Sequence, residues 1–393
     1  MENLDLQEIR GQLDEIDTRL VELFEKRMEL CGQVAEFKIG TGKAVYDGQR
    51  EKQKLAAVAA MAHSEFNRKG VHELFSQIMT ISRRLQYRLL AEHGKGGDTG
   101  FTMVDELKRE GARIVYQGVE GAYSHRAALQ YFGEDADVYH VPVFEDAMIE
   151  VEEGRADYGV LPIENSLAGA VIDNYDNLLK HDIYIVAETK VAVDHALLGL
   201  PEASLEDIRR VYSHPQGLMQ CSGYLGAHRQ WSQISVENTA GAAKKVLEEG
   251  EVSQAAVASP TAGALYGLKV LEASINNNKN NTTRFIIVAR KPMYRKDAGK
   301  VSICFEGLHK SGSLYNMLGN FIYNDVNMLM IESRPIEGRS WEYRFFVDVE
   351  GSLGDPAIRN ALLGILRGSG QHEDSGKLLG RQEGHGYQRF SNI

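Results

Sequence analysis

The feature that most constrains the fold is an apolar seam near the amino terminus. Aliphatic and aromatic residues recur in alternating steps of three and four from Leu6 to Phe37, the spacing of a heptad repeat. A helix of this extent is about 50 Å long at a rise of about 1.5 Å per residue, and the segment 40–42, Gly-Thr-Gly, predicts its end. Further helices are predicted over 47–66 and 71–91. One helix is far longer than a compact monomer needs, so the segment predicts an intertwined helical dimer.

One position of this seam carries a charge. Arg27 stands among aliphatic residues, and a guanidinium there requires an anion. Lys38 lies only about 20° further around the helix, so both cations face one side. Arg10 is about 25 Å from Arg27 along the axis and reaches the same small ligand only from a partner subunit. An intramolecular salt bridge from Arg27 to Glu51 is the alternative.

Composition limits the class of protein. A chain of 393 residues exceeds one hydrophobic core and predicts two or three domains. The net charge of -11, without any basic run, argues against nucleic acid as a partner. No signal peptide and no membrane-length apolar run is found, so no membrane partner is predicted. The three cysteines lack metal-ligand spacing and predict a cytoplasmic protein without a structural metal. Dinucleotide and phosphate-loop motifs are also absent, and no cofactor is predicted.

Two polar, glycine-containing breaks, near 93–100 and 291–299, divide the chain. The predicted order is a helical domain over 1–92, a linker over 93–110, an α/β domain over 111–292, an α+β domain over 299–373 and a tail over 374–393. The α+β segment predicts strand 300–306, helix 312–324, strands 326–333 and 341–349, helix 355–367 and a short strand near 377–381.

Polar blocks at strand ends mark a candidate site in the middle segment. The block Leu161–Ser166 follows one apolar run, and Thr282–Phe285 opens another. A third block covers Tyr212–Cys221. Polar side chains at the ends of distant strands predict one shared cleft. For either of the first two blocks alone, an ordinary strand-end cap is the alternative.

These residues resemble the bifunctional P-protein family of bacterial phenylalanine biosynthesis, and the resemblance covers essentially the whole chain. That family fuses an all-helical chorismate mutase, a prephenate dehydratase and an ACT regulatory domain. The resemblance implies a multidomain fold. Its parts are an all-α intertwined mutase domain, a two-lobed α/β dehydratase domain like a periplasmic binding protein, and an α+β ACT domain of βαββαβ order. It further implies a homo-oligomer, at least a dimer.

In the helical segment, the resemblance implies chorismate-binding residues that clamp carboxylates and the ether oxygen. They are Arg10, Arg27, Lys38, Asp47, Arg50, Glu51, Ser82 and Gln86. Lys38 and Gln86 are the implied catalytic donors to the breaking ether bond. The rearrangement is pericyclic, so it needs neither a nucleophile nor a proton donor.

In the middle segment, the resemblance implies prephenate-binding residues from all three polar blocks. They are Glu164, Asn165, Ser166, Ser213, Gln220, Thr283 and Arg284. Thr283 is the implied catalytic residue, because its hydroxyl can assist departure of hydroxide. A Ser213–His214 pair is the competing idea, disfavoured because adjacent residues on a strand point to opposite faces. Arg284 is expected to neutralise a substrate carboxylate or to buttress the loop, and 276–281 is expected to be a flexible surface loop.

In the last segment, the resemblance implies an effector site for L-phenylalanine and feedback inhibition. The implied effector residues are Gly312, Ser313, Leu314, Glu332, Ser333, Arg334 and Pro335. Two other functions stay open. One is a monofunctional prephenate or arogenate dehydratase whose helical domain only dimerises, which the matched mutase cations disfavour. The other is a non-catalytic amino-acid sensor, which Thr283 and Asn165 together disfavour.

Overall fold

The structure, a computed structural model, describes residues 5–43, 45, 47–94, 100–307, 311–368 and 389–392. They fall into two compact units, one within Met1–Gly100 and Ile303–Arg389, the other within Phe101–Ser302 and Phe390–Ile393. Within these described ranges, no helix combines the length and the apolarity that a bilayer crossing requires.

Three helices form the amino-terminal part of the first unit, as the periodicity predicts. They are α1 (Leu6–Thr41), α2 (Gly48–Ala60) and α3 (Glu65–Glu92). Gly42 ends α1 in the left-handed conformation, and its N–H donates to the carbonyl of Lys38. α3 begins six residues earlier than predicted, because the Ser64 hydroxyl accepts the Asn67 N–H at 3.0 Å and caps the helix there.

The second unit contains two α/β lobes, which confirms the two-lobed prediction. The first-lobe elements up to the crossing point are β1 (Thr102–Val104), β2 (Arg113–Gln117), α4 (Tyr123–Phe132), β3 (Asp137–Val141), α5 (Phe144–Glu152), β4 (Tyr158–Asn165), β5 (Gly169–Ala170), α6 (Ile172–Leu178) and β6 (Tyr184–Ala192). The second-lobe elements are β7 (Ala196–Gly199), β8 (Arg210–Ser213), α7 (Pro215–Gln220), α8 (Ser222–Ala227), β9 (Ser232–Ser235), α9 (Thr239–Glu249), β10 (Gln254–Ala258), α10 (Pro260–Leu265) and β11 (Lys269–Glu272). The chain then returns to the first lobe through β12 (Thr282–Ala289) and β13 (Met293–Arg295).

Strand β12 organises the first lobe. The sheet order is β3-β2-β4-β12-β6, with β5 on β4, and the second lobe has the order β11-β7-β10-β8-β9. β12 is antiparallel to both of its neighbours, and its residues from Phe285 to Ala289 are buried. A strand that is buried on both faces has consecutive apolar residues, and this explains the sequence Phe285–Ala289 in β12. The polar residues at its start therefore lie at the end of the sheet.

The predicted linker over 93–110 includes paired structure. β1 lies in this range and pairs in parallel with β13. Phe101 and Leu107, on either side of β1, are buried. This part of the range therefore belongs to the second unit rather than to a spacer.

The carboxyl-terminal elements follow the predicted order. They are β14 (Lys300–Glu306), α11 (Ser313–Ile322), β15 (Met328–Ile336), β16 (Arg339–Glu350), α12 (Pro356–Gly368) and β17 (Arg389–Asn392), with the sheet order β15-β16-β14-β17. The strand predicted near 377–381 lies outside the described residues, as does most of the tail over 374–393. β17 lies within that tail and was not predicted.

The helical and carboxyl-terminal parts of the first unit are in contact. α12 packs against α3. The guanidinium of Arg84 on α3 lies 3.7 Å from the ring centroid of Tyr323, the residue that follows α11. Burial lowers the pKa of Arg84 to about 10. One side of α3 therefore packs against α1 and α2, and another side packs against α11 and α12.

Candidate active sites

The first candidate site lies between α1 and α3. Arg27 donates to the hydroxyl of Ser82, and its Nη1 is 3.8 Å from the sulfur of Cys31. Among the residues that the structure describes, Arg27 has no carboxylate partner. Glu51, the alternative partner considered above, forms its ion pair with Arg83 instead. The salt-bridge alternative for Arg27 is therefore wrong, and its charge is available to an anionic ligand.

Lys38 and Gln86 continue this cluster. The Lys38 ammonium donates to Gln86 Oε1 at 3.1 Å and to the Val45 carbonyl at 2.8 Å. The amide nitrogen of Gln86 donates to the Ser82 carbonyl at 3.2 Å. An ammonium has three protons and an amide two, so each group keeps one proton for a ligand. Burial lowers the pKa of Lys38.

The structure brings together only some of the implied mutase residues. Arg27, Lys38, Ser82 and Gln86 form one hydrogen-bonded chain, as described above. Asp47 caps α2 by accepting the N–H of Arg50 at 3.0 Å. Arg10 is exposed on α1, about 25 Å along the axis from Arg27. Cys31, which the sequence pattern did not single out for this site, lies one helical turn from Arg27.

The second candidate site begins with Asn165 and Thr283, which face each other across the β4–β12 pair. Asn165 Nδ2 donates to Thr283 Oγ1 at 2.9 Å. Asn165 Oδ1 accepts the backbone N–H groups of Leu167 and Ala168 at 3.1 and 3.0 Å. Backbone N–H groups only donate, so these two bonds fix which end of the amide is the oxygen. Thr283 is therefore the acceptor in its bond with Asn165, and its own proton remains to be donated.

Gln220 belongs to a buried network at the junction of the lobes. Its Oε1 lies 3.0 Å from His195 Nε2, and His195 Nδ1 lies 3.2 Å from the hydroxyl of Tyr123. The Tyr123 hydroxyl donates its one proton to the Asp194 carbonyl at 2.8 Å. His195 is 2% exposed, and burial lowers its pKa, which favours the neutral imidazole. Sequence reasoning missed His195 and Tyr123, which lie outside the three polar blocks.

Glu164, Arg284 and Ser166 support the strand ends. Arg284 lies 3.7 Å from the carboxylate of Glu164 and 3.8 Å from that of Glu188. Arg284 directly follows Thr283 on the strand and pairs with Glu164, so both side chains are on the opposite face of the sheet from Thr283. The Ser166 hydroxyl accepts the Thr282 N–H at 3.0 Å. Arg284 was expected either to neutralise a substrate carboxylate or to buttress the loop. These contacts with protein carboxylates favour the second role.

Ser213, an implied prephenate-binding residue, lies beneath α7. Its side chain is fully buried, and its hydroxyl donates to the Val257 carbonyl at 2.6 Å. A Cβ added at Gly217 on α7 would lie 2.7 Å from this hydroxyl. His214 is the cap of α7 and accepts the Gln216 N–H. A direct contact between Ser213 and substrate is therefore not supported, because packing under α7 occupies the side chain, and the two residues form no nucleophile–base pair.

The asparagine-rich segment over 276–281 is a loop whose residues 277–280 are exposed, in line with the predicted surface loop, but hydrogen bonds hold both of its ends. Asn276 Oδ1 accepts the backbone N–H of His195 at 2.6 Å. The Asn277 N–H donates to the carbonyl of Gln220 at 2.7 Å. Asn281 is 1% exposed. The segment connects the two lobes and contacts residues of the candidate site in both.

The implied effector residues occupy two elements of the carboxyl-terminal part. Gly312, with φ of 75°, caps α11, and Ser313 and Leu314 follow in its first turn. Glu332 to Pro335 lie on β15, where Ser333 pairs with Phe345. A Cβ added at Gly307 would lie 3.3 Å from the Phe345 ring and 4.0 Å from the Ser313 hydroxyl. The start of α11 and the partner strand of β15 therefore approach each other at Gly307.

No group of three or more histidine, cysteine or acidic side chains is placed to hold a metal ion in the parts of the chain that the structure describes.

Comparison with known proteins matches both parts of the chain that contain a candidate site. Residues 9–87 match the family described as chorismate mutase type II, and residues 114–293 match prephenate dehydratase. The bifunctional chorismate mutase/prephenate dehydratase of Escherichia coli (strain K12) is 32% identical over 378 residues, covering 95% of this chain and 94% of that protein. The corresponding protein of Aquifex aeolicus is 29% identical, with 91% and 93% covered.

Solved structures agree on the fold of a large part of the chain. A prephenate dehydratase from Arthrobacter aurescens in complex with L-Phe has a TM-score of 0.61 and 28% identity, covering 71% of this chain and 88% of that one. GqqA, described as a novel type of quorum quenching acylase, has a TM-score of 0.60 and 34% identity, covering 66% and 94%.

The fold and the family matches thus define an enzyme of two catalytic parts, a helical mutase and a two-lobed α/β dehydratase. The chain belongs to the bifunctional chorismate mutase/prephenate dehydratase family of phenylalanine biosynthesis. It has both activities: it rearranges chorismate to prephenate and converts prephenate to phenylpyruvate.

Proposed function

We propose that the cluster between α1 and α3 binds chorismate and stabilises its rearrangement. The observation that carries this is Arg27, a cation without a carboxylate partner among the described residues, next to the proton donors Lys38 and Gln86. Arg27 binds a substrate carboxylate, because a guanidinium fork matches carboxylate geometry. The remaining protons of Lys38 and Gln86 go to the ether oxygen, where negative charge develops in the transition state.

The mutase site is completed by a second copy of the chain. The seam positions of α1 are 36% to 65% exposed; they are Leu6, Ile9, Leu13, Ile16, Leu20, Leu23, Leu30, Val34 and Phe37. A continuous apolar stripe of this length favours burial against a partner helix. Arg10, which is too far along α1 to reach its own site, then serves the site of the partner subunit. Asp47, Arg50 and Glu51 at the start of α2 form the mouth of this site.

The dehydratase site uses Thr283 as the donor to the departing hydroxide of prephenate. Asn165 makes the Thr283 oxygen an acceptor, so the hydroxyl proton points away from Asn165 and toward a ligand. Gln220, held by His195, contributes from the other lobe. Glu164, Ser166 and Arg284 hold the strand ends, and Ser213 supports α7. Aromatisation drives loss of carbon dioxide, so the protein only has to assist the leaving group.

The carboxyl-terminal part acts as an ACT domain that binds L-phenylalanine and inhibits the enzyme. Support comes from its β-α-β-β-α order and from the approach of the Gly312–Leu314 and Glu332–Pro335 elements around Gly307 and Phe345. The relative from Arthrobacter aurescens is described in complex with L-Phe. The three cysteines are free thiols, which suits a cytoplasmic location.

A chorismate assay tests the proposed function. Purified protein is given chorismate, and prephenate and phenylpyruvate are followed by absorbance with and without L-phenylalanine. We expect both products, and less phenylpyruvate when phenylalanine is present. Equal rates with and without phenylalanine would contradict the regulatory proposal. Sedimentation of the same sample should give at least a dimer.

A further inference from the structure

Asn281 is a buried polar residue that no sequence pattern singled out. It directly precedes β12 and lies two residues before Thr283. Its side chain is 1% exposed, and its Oδ1 accepts a hydrogen bond from Asn165 Nδ2 at 2.8 Å. It therefore contacts the same amide nitrogen that donates to Thr283.

The backbone on both sides of Asn281 is held independently of its side chain. The Thr282 carbonyl accepts the N–H of Ser166 at 2.9 Å, and the Asn281 carbonyl accepts the N–H of Val193 at 2.9 Å. The Ser166 hydroxyl accepts the Thr282 N–H at 3.0 Å. The Asn281 side chain is thus brought to a fixed place, and its replacement leaves these bonds in position.

The hydrogen bonds of Asn165 define what Asn281 contributes. Asn165 Oδ1 accepts from two backbone N–H groups, so Nδ2 is the donor in all other bonds of this amide. The longest of these is to the Thr282 carbonyl at 3.4 Å, and the two shorter ones set the directions of its two protons. One proton of Nδ2 points to Asn281 Oδ1 and the other to Thr283 Oγ1. With Asn281 present, every hydrogen-bonding position of Asn165 is used, and rotating the amide would break four bonds.

The side chain of Asn281 includes a buried group that destabilises the folded protein, and this favours a functional role for the residue. Its own Nδ2 is buried and has no hydrogen-bond partner among the described residues. An unsatisfied buried donor destabilises the folded protein, and such groups call for an explanation beyond stability. The explanation available here is the oxygen of the same amide, which holds Asn165.

We propose that Asn281 is a positioning residue for dehydration, which fixes Asn165 and thereby directs the hydroxyl proton of Thr283 to the substrate. The proposal rests on the proposed role of Thr283. It assigns to Asn281 an effect on the chemical step rather than on substrate affinity. The dehydratase kcat should therefore change more than KM.

The experiment compares Asn281→Ala and Asn281→Asp with the matched control Asn280→Ala. Asn280 is the exposed neighbouring asparagine. We expect Asn281→Ala to lower the dehydratase kcat about tenfold, as for loss of one orienting hydrogen bond. KM for prephenate should stay within about twofold. Asn281→Asp retains an oxygen for Asn165 and should recover most of kcat. The mutase activity of the same chain serves as the internal standard for folded enzyme.

Two results would overturn the inference. One is a kcat for Asn281→Ala equal to that of Asn280→Ala. The other is an equal loss in Asn281→Ala and Asn281→Asp, which would assign the effect to the amide nitrogen. If the alanine variant does not fold, Asn281→Ser carries the same expectation, because its shorter side chain does not reach Asn165.

Thr283→Val in the same assay separates this inference from the proposed function. If that variant keeps full dehydratase activity, the role of Thr283 is wrong and the role of Asn281 fails with it. If Thr283→Val is inactive and Asn281→Ala behaves like the control, only the role of Asn281 is wrong.

Discussion

A pair of neutral side chains, Asn165 and Thr283, decides the direction of one proton. The amide cannot accept from the hydroxyl through its oxygen, because two backbone N–H groups occupy that oxygen. The hydroxyl must accept from the amide nitrogen, 2.9 Å away. A threonine is a weak acid, so in the proposed mechanism the protein orients its proton rather than making it more acidic.

Asn165→Asp should reverse this bond. A carboxylate only accepts, so it would take the Thr283 proton that the substrate needs. We expect the dehydratase kcat to fall by about 10²–10³, the usual effect of losing one aligned donor. The measurement is phenylpyruvate formation from saturating prephenate. Mutase activity should be unchanged, and a dehydratase kcat within twofold of the parent would contradict the assigned polarity.

Lys38 gives the mutase a pH dependence whose sign follows from burial. Burial lowers the pKa of Lys38, so the ammonium loses its proton at a lower pH than an ordinary lysine. Mutase kcat/KM should therefore fall on the alkaline side as pH rises through that lowered pKa. A guanidinium stays protonated there, so Lys38→Arg should move the fall to higher pH, at a lower maximum rate.

The measurement is mutase kcat/KM between about pH 6 and 11. Lys52→Arg, a change of the same type at an exposed position of α2, should leave the profile as it is. An alkaline limb that does not move in Lys38→Arg would show that another group controls it.

At the scale of elements, α1 and α3 each carry residues of the candidate mutase site on one surface and have a second surface outside that site. α1 carries Arg27, the proposed substrate-binding cation, on a helix whose apolar seam is exposed along its length. α3 carries Ser82 and Gln86 at the site, and Arg84 against Tyr323 elsewhere. One surface of α3 is covered by the carboxyl-terminal part of the same unit, whereas the exposed seam of α1 is the surface that the proposed dimer would bury.

The double change Ile16→Glu with Leu20→Glu tests the partner of α1. Both side chains are 53% exposed, so charges there do not disturb the core of one protomer. They do penalise burial against a second copy. We expect a lower mass in sedimentation and a loss of mutase activity, because Arg10 of the partner is withdrawn. Thr18→Glu, at an exposed position on the side of the same helix opposite the seam, is the control. An unchanged mass and full mutase activity in the double variant would contradict the proposed dimer.

At the scale of the whole molecule, the two reactions use side chains from different parts of the chain. All assigned mutase residues precede residue 87, and all assigned dehydratase residues lie between 123 and 284. The rearrangement needs cations and donors around a dianion, whereas the dehydration needs a directed hydroxyl. One chain can therefore lose either activity alone.

Arg27→Ala and Thr283→Ala should separate the two activities. The first should abolish chorismate turnover and leave prephenate turnover intact, because it removes a carboxylate ligand of the mutase only. The second should do the reverse. Each substrate is supplied separately, and both rates are measured for both proteins. Equal loss of both activities in either variant would refute separate sites.

The sequence predicted what depends on local pattern and missed what depends on distant contacts. The heptad spacing predicted α1, and the alternation of elements predicted the carboxyl-terminal β-α-β-β-α order. Sequence alone could not show that Ser213 donates to the Val257 carbonyl or that Asn281 holds Asn165, because these contacts span 44 and 116 residues. His195 was missed for the same reason. The Ser64 cap, by contrast, is a local signal and could have been used.

The contact of α3 with α11 and α12 bears on how the polypeptide can be dissected. A fragment that stops at residue 92 would retain Arg84 but lose the aromatic ring that covers it. The newly bared flank would be prone to self-association. Anyone who wants a free-standing catalyst from the first 92 codons should redesign that flank with polar residues before expressing the piece.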